Sequence, residues 1–257
     1  MTAYQGGKHR LGKKIANVIS IVEKDLGYHH LPYVEPFCGM CGVMKNIASM
    51  YPKREIYGYD INEDIIEMWK SLQKGWIPPI DCDRKQFEQI KNNREIPSAR
   101  RGFLGTVACY SNVFMGGYRK SIHQGGRDYI GEAGRSLMKV YELVKNAIFK
   151  SSSYENVDVL NKVVYCDPPY MGNKFITPFF QNFDHDKFWE VMRMWSKNTL
   201  VFISESTCPL DFKSIWSRDV NVSINRKVRT NTNENIFVHE SLFSKLSQES
   251  LDNISRM

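Results

Sequence analysis

The run Val163-Val164-Tyr165-Cys166-Asp167-Pro168-Pro169-Tyr170 sets one carboxylate, two prolyl carbonyls and one aromatic ring side by side. Proline has no N–H to donate, so Asp167, Pro168 and Pro169 form a patch that only accepts hydrogen bonds. Such a patch suits an amino group. Tyr170 adds a flat face for stacking a heterocycle, and the corner as a whole could grip an exocyclic amine on a planar base. The four letters alone are equally compatible with a surface turn over a packed tyrosine, so the surroundings must decide. Two β-branched residues and a tyrosine before the acid read as the end of a buried strand, and the double proline forbids both a continued ladder and a helix start. The patch then lies at the C-terminal edge of a sheet, where ligands bind in open α/β folds.

A second group with chemical potential is Tyr33-Val34-Glu35-Pro36-Phe37-Cys38-Gly39-Met40-Cys41-Gly42. A short strand runs into a turn with two glycines and then a helix through about Ser49, the geometry that holds nucleotide-like ligands. Some twenty residues on, Ile56-Tyr57-Gly58-Tyr59-Asp60 reads as a strand ending in an acid, the position that grips ribose hydroxyls in nucleotide-binding α/β units. Alone, a terminal Asp is more often the N-cap of the next helix, here Ile61 to about Leu72; the pairing with the glycine turn favours an adenosine cofactor. Cys38 and Cys41 form a Cys-x-x-Cys, but no second cysteine or histidine pair has zinc-ligand spacing, so no metal is expected. Near the N-terminus, Tyr4-Gln5-Gly6-Gly7-Lys8-His9-Arg10 puts a glycine pair between an aromatic and a cluster of cations, before a helix from Lys13 to about Lys24. The spacing is not that of a P-loop, and Tyr4 and Lys8 could flank something anionic or planar, with a flexible loop as the alternative.

The rest of the chain must position these groups. Its 257 residues and 42% hydrophobic content suit one large α/β domain, or a core domain with a small insertion. No apolar run reaches about 18 residues and the first residues lack a signal-peptide core, so the chain is expected to stay in the compartment where it is made. Six scattered cysteines, several in apolar stretches, suit reduced buried thiols and a reducing intracellular compartment such as the cytoplasm. Ser136 to Phe149 has helical periodicity, Phe188–Trp195 reads as an amphipathic helix, and Thr199–Ser204 as a buried strand. Val220 to Phe243 alternates, with Asn-rich punctuation at Thr230 to Asn235 that suggests a hairpin at a sheet edge.

The net charge is +7. Between Arg100 and Arg127 lie five basic residues, Arg100, Arg101, Arg119, Lys120 and Arg127, and no acid, a candidate phosphate-facing surface or else a solvated basic loop. After Leu72 the composition shifts, and Phe103, Tyr110, Phe114 and Tyr118 interleave with these cations. The expected organisation is a catalytic unit over residues 1–75 and 136–257 with an inserted, mainly helical or loop region at 76–135. Phe103 and Tyr110 are read as that insertion's own small core.

Taken together, the ordered elements resemble the adenine-specific DNA methyltransferases of the Dam-like (D12) class. The resemblance runs through Tyr4/Gly6-Gly7-Lys8, Glu35-Pro36-Phe37-Cys38-Gly39, Asp60-Ile61-Asn62, Gly116-Gly117-Tyr118-Arg119, Asp167-Pro168-Pro169-Tyr170, Phe183-Asp184-His185 and Ile203-Ser204-Glu205. It implies a Rossmann-like S-adenosylmethionine-dependent methyltransferase sheet and transfer of a methyl group to a flipped adenine. Cofactor contacts would come from Tyr4, Lys8, Glu35, Pro36, Phe37, Gly39, Asp60, Ile61, Tyr154 and Asp167. Asp167, Pro168, Pro169 and Tyr170 would be the catalytic set, and the inserted region would recognise the target, with Tyr118, Arg119, Lys120 and Arg127 on DNA. The partner would be DNA, double-stranded, with the protein a monomer or weak dimer and a restriction–modification system as one setting.

Two departures stand out. Many relatives carry an acidic-aromatic pair shortly before the final corner; here Ser152-Ser153-Tyr154-Glu155 occupies that stretch, so either Tyr154 stacks alone or Glu155 substitutes. Gly116 to Arg127 also lacks the loop by which bacterial Dam enzymes read GATC, which leaves the target sequence open. An N4-cytosine methyltransferase is the runner-up, disfavoured because such enzymes more often have serine in place of Asp167. A DNA-binding protein that keeps the fold without turnover, and a protein-glutamine methyltransferase, are further readings; the second has no evident use for a basic aromatic insertion.

Overall fold

The computed structural model describes residues 7–110, 113–120, 126–171, 179, 182–223 and 229–257, with the backbone alone for 220–223 and 229–232. Tyr4 lies outside the described residues. The chain opens with helix α1 (Gly12–Asp25), whose Ile15, Ala16, Val18, Ile19 and Val22 are buried. Strand β1 (Tyr33–Glu35), helix α2 (Met44–Met50), strand β2 (Ile56–Asp60) and helix α3 (Glu63–Gln73) follow. Helices α4 (Arg84–Asn92), α5 (Ala99–Val107) and α6 (Tyr129–Val144) come next, then strand β3 (Ile148–Ser151). Strand β4 (Val163–Cys166), helix α7 (His185–Ser196) and strand β5 (Leu200–Glu205) complete the α/β alternation. Strands β6 (Phe212–Ser223) and β7 (Arg229–His239) and the short helices α8 (Glu240–Phe243) and α9 (Gln248–Ser255) close the chain.

The strands form one sheet in the order β3-β2-β1-β4-β5-β7-β6. Strands β1 to β5 are parallel, whereas β7 runs antiparallel to both β5 and β6. From β1 the chain winds outward through β2 and β3, then returns to the other side of β1 and winds outward through β4 and β5. The reversal falls between β1 and β4, and a crevice opens there outside the carboxyl ends of the strands. This is the Rossmann-like sheet the sequence leads one to expect.

Strand residues alternate between two cores, because successive side chains point to opposite faces. Tyr33, Val163, Tyr165 and Phe202 join the cluster under α1, α2, α3, α5 and α6. Val34, Val164, Cys166, Val201 and Ile203 join the second cluster, under α7 and Tyr154. Each such Val or Ile contributes about 1.5–3 kcal/mol on burial. Among the described residues, no helix is long and apolar enough to cross a membrane.

The structure departs from the sequence reading in three places. The helix expected over Ser136–Phe149 begins at Tyr129 and ends at Val144. The Asp128 side chain caps its start by accepting the Gly131 amide at 2.8 Å. Ile148 and Phe149 belong to β3 instead, where Phe149 stacks on Trp69 at 5.4 Å between ring centres. Second, the Asn-rich stretch Thr230–Asn235 is no turn but part of β7, opposite Val222 to Ser217 of β6. Third, Phe103 is fully buried in the same cluster as α1 and α2, edge-on to Trp76, and Tyr110 is exposed. α5 packs against α3 through a buried ion pair, in which Arg101 donates to both Asp64 oxygens at 2.7 and 2.6 Å.

Candidate functional site

The parallel strands deliver acids to one rim. Glu35 ends β1, Asp60 ends β2, Asp167 follows β4 and Glu205 ends β5. Glu234 reaches the same rim from β7, one residue before Asn235, which pairs with Glu205. Glu35, Asp60, Glu205 and Glu234 are all buried. Carboxylates held out of water need partners, and their partners define the geometry.

Asp60 organises the glycine loop. Its Oδ2 accepts the Gly39 amide and its Oδ1 the Asn62 amide, both at 2.9 Å. Gly39 has φ 42°, in the left-handed region that glycine enters without a Cβ penalty, and this turns its N–H toward Asp60. The Trp69 indole donates to the Gly39 carbonyl at 2.9 Å, and the Cys38 amide to Tyr59 at 2.8 Å, so the loop is tied to α3 and β2. Asn62 caps α3 by accepting the Asp64 amide at 3.1 Å. Asp60 is therefore not the helix cap, and its oxygens keep lone pairs for a further donor. Burial pushes its carboxyl up to about 6, against the two amide hydrogen bonds. Ile61 is exposed beside it, and Cys38 and Cys41 are buried with their thiols pushed up by burial. Among the described residues no group of three or more His, Cys, Asp or Glu is placed to hold a metal ion.

At the corner after β4, Pro168 and Pro169 are buried and Asp167 and Tyr170 are half-buried. The Lys8 ammonium lies 2.8 Å from Asp167 Oδ1 and 3.4 Å from Glu234 Oε1. It also sits 4.5 Å from the centre of the Tyr170 ring. The loop before α1 that brings Lys8 here needs close packing, for a Cβ on Gly12 would lie 2.1 Å from the Gly42 carbonyl oxygen. Burial alone would lower the Lys8 pKa, but Asp167 and Glu234 outweigh it and the ammonium is held above its ordinary value. Burial pushes the Asp167 carboxyl up to about 6, with Lys8 pulling the other way. The chain leaving the corner is fixed by Glu205, which accepts the Met171 amide at 3.2 Å. Glu35, 2% exposed, accepts from the Tyr33 hydroxyl at 2.9 Å, and burial pushes it up to about 8, so it is neutral at neutral pH.

Phe37 and Tyr154 stack at 5.4 Å between ring centres, with Phe183 and Phe188 edge-on or tilted against both. Tyr154 is buried and Phe37 half-buried, so Phe37 has the more open face and Tyr154 forms the floor behind it. Glu155 points away, to Lys187 at 2.5 Å. Pro36 is buried between Glu35 and Phe37.

The basic region divides. Arg101 is buried on Asp64 and cannot face phosphate, which corrects the expectation drawn from charge alone. Arg100 and Lys120 are exposed. Arg119 and Arg127 both lie over the Tyr129 ring, at 4.5 and 5.0 Å. Arg119 also donates to the Val107 carbonyl at 2.8 Å, and Arg127 pairs with Glu132 at 2.9 Å. Tyr118 donates its hydroxyl to the Cys82 carbonyl at 2.7 Å and packs on Phe87, which ties it to α4. The sequence reading missed Glu234. It lies within the polar run Thr230–Asn235, where neither composition nor period sets one acid apart from its neighbours. A cavity of about 270 Å³ lies at the other end of the sheet, lined by Tyr51, Arg54, Ile56, Glu142 and Ala147, and gathers none of these groups.

Among curated proteins, the chain is 27% identical over 177 residues to the retron Ec67 DNA adenine methylase of Escherichia coli. That stretch is 56% of this chain and spans 58% of the methylase's own length. Among solved structures, it is similar to the magnesium protoporphyrin IX methyltransferase of Synechocystis PCC 6803 with bound SAM. There the TM-score is 0.35 and the identity 10%, over 89% of this chain and 81% of that one. Lys8, the Glu35–Gly39 loop and Asp60 all fall within residues 4–107, the segment that matches the D12 class N6 adenine-specific DNA methyltransferase family.

Proposed function

We propose that the protein is a DNA N6-adenine methyltransferase that uses S-adenosylmethionine. The observation that carries this reading is the placement of Asp167, Pro168 and Tyr170 at the switch point, beside the loop that Asp60 holds. The rim fits the cofactor by its chemistry: a cationic sulfonium suits buried acids, the spare lone pairs of Asp60 suit ribose hydroxyls, and the open face of Phe37 suits an adenine ring. When bound, the cofactor supplies an activated methyl group.

The chain's own residues then act on the target base. The N6 lone pair is delocalised into the ring, so the amine is a poor nucleophile until its hydrogens are drawn to acceptors. Asp167 and the Pro168 carbonyl accept those hydrogens, while Tyr170 stacks on the extruded base and offsets a few kcal/mol of lost duplex stacking. In-line placement carries much of the rate. The proton released from nitrogen is accepted by the Asp167 carboxylate.

Residues 76–135 form the target-recognition region in this reading, with Arg119, Lys120 and Arg127 on phosphates of double-stranded DNA and Tyr118 supporting them from behind. A monomer is sufficient for the site. Five of the six cysteines are buried as free thiols, which suits a reducing compartment that contains DNA.

The test is to incubate the purified protein with S-adenosylmethionine and unmethylated genomic DNA, digest to nucleosides, and identify the methylated base by mass spectrometry. N6-methyladenine, lost in Asp167→Ala, supports the reading. N4-methylcytosine overturns the base assignment, and bound DNA without any methylated base favours a non-catalytic binding protein.

A further inference from the structure

We infer that Glu234 is a positioning residue for the target-base site: it holds the Tyr170 ring by its hydroxyl and gives Lys8 a second carboxylate beside Asp167. The inference rests on the function proposed above. Tyr170 donates to Glu234 Oε1 at 2.6 Å, and the same oxygen is 3.4 Å from Lys8 Nζ. Glu234 is 8% exposed, so both contacts are made out of bulk water, where a hydrogen bond to a charged group is strong.

Its backbone is fixed independently of the site. Glu234 pairs with Arg218 in the β6–β7 ladder, and the neighbouring Asn235 side chain donates to the Ser206 carbonyl at 3.1 Å and the Glu205 carbonyl at 3.3 Å. The β7 backbone at Glu234, held by its pairing with β6 and β5, therefore presents one carboxylate to both Tyr170 and Lys8. Tyr170 is attached by a single rotatable stem after two prolines, and a stacked base needs the ring at one angle. Lys8 occupies the space over that ring and the hydrogen-bonding edge of Asp167. A base amine reaching Asp167 competes with the ammonium, and Glu234 is a second acid, 3.4 Å away, that can keep Lys8 paired.

The experiment compares Glu234→Ala, Glu234→Gln, Tyr170→Phe and the double variant Glu234→Ala/Tyr170→Phe in the full chain, with radiolabelled S-adenosylmethionine and unmethylated genomic DNA. Glu234→Ala is expected to lower kcat by about 10- to 100-fold, the scale of losing a hydrogen bond to a charged group. Glu234→Gln keeps an acceptor for the tyrosine hydroxyl and is expected to recover most of that loss. In the Tyr170→Phe background Glu234→Ala should cost far less than alone, because the hydroxyl it acts through is gone. Fully additive losses, or an unchanged kcat in Glu234→Ala, overturn the proposal.

A readout independent of turnover separates this proposal from the assigned activity. In protein labelled with fluorotyrosine, the fluorine resonance absent from Tyr170→Phe should move in Glu234→Ala and stay near its place in Glu234→Gln. If it does not move, Glu234 does not position Tyr170, whatever the enzyme methylates. If it moves while the wild-type protein methylates no DNA, the positioning role stands and the reading of the substrate fails.

Discussion

Lys8 and Asp167 lie 2.8 Å apart, joining the start of the chain to the corner after β4. The contact opposes the effect of burial on Asp167, the group proposed to accept hydrogens from the substrate amine. Burial pushes Asp167 up to about 6. Its accepting, ionised form therefore dominates above that pH and is lost below it. Methyl transfer should fall as pH drops through about 6, by roughly tenfold per unit well below it. A pH profile of kcat checks this, with folding monitored by circular dichroism over the same range; an acid limb at about 4 would mean that Asp167 titrates as an ordinary carboxyl.

Asp60 gives the second prediction. Asp60→Ala removes the acceptor for both the Gly39 and the Asn62 amides and frees the glycine loop. S-adenosylmethionine affinity should fall about 10- to 100-fold. Calorimetric titration reads the change directly, and unchanged binding would place the cofactor elsewhere.

Glu35 predicts a stability effect with a definite sign. Its ordinary value is 4.5 and burial pushes it up to about 8. Between those values the folded protein holds a proton that the unfolded chain has released, so stability declines as pH rises across the window and levels off above about 8. Glu35→Gln should flatten this decline and raise Tm on the alkaline side by on the order of 5 °C. Thermal melts across the window check it, and a variant that melts lower at alkaline pH would contradict the assignment.

The basic residues separate by mechanism. Lys120 is exposed, so Lys120→Ala should leave Tm unchanged and lower the slope of log K against log salt for DNA binding by about 0.9. Arg119→Ala should weaken binding in the same way and also cost some stability, because it removes the bond to Val107 and the contact with Tyr129. Arg101→Ala should behave in the opposite manner. It strands the buried Asp64 and should cost about 3–5 kcal/mol of stability. Salt titrations of DNA binding beside thermal melts distinguish the three.

Much of the candidate site is legible in the sequence. Asp167-Pro168-Pro169 announces itself because proline removes donors wherever it stands, and Asp60 announces itself by ending an apolar run. Strands β2 and β4 were legible as period and composition, since buried parallel strands need apolar β-branched residues on both faces. The α6 boundary was not, because the apolar spacing that runs from Leu137 to Val144 continues by coincidence through Ile148, which starts a strand.

Local pattern alone singles out the candidate groups: an acceptor patch at Asp167, a glycine turn at Gly39, an acid at Asp60 and an excess of cations between Arg100 and Arg127. These follow from residue type and short-range spacing. Which of them meet depends on how the elements pack. Lys8 reaches Asp167 because α1 packs closely on the glycine loop, and Arg101 leaves the cationic surface because α5 packs on α3 and buries it against Asp64. Glu234 joins the site because β7 is antiparallel to β5 and brings its acid back to the rim where the parallel strands end. The difference is one of range. Local pattern fixes the backbone conformation of each element, but which charge neutralises which is settled by packing between residues far apart in the chain.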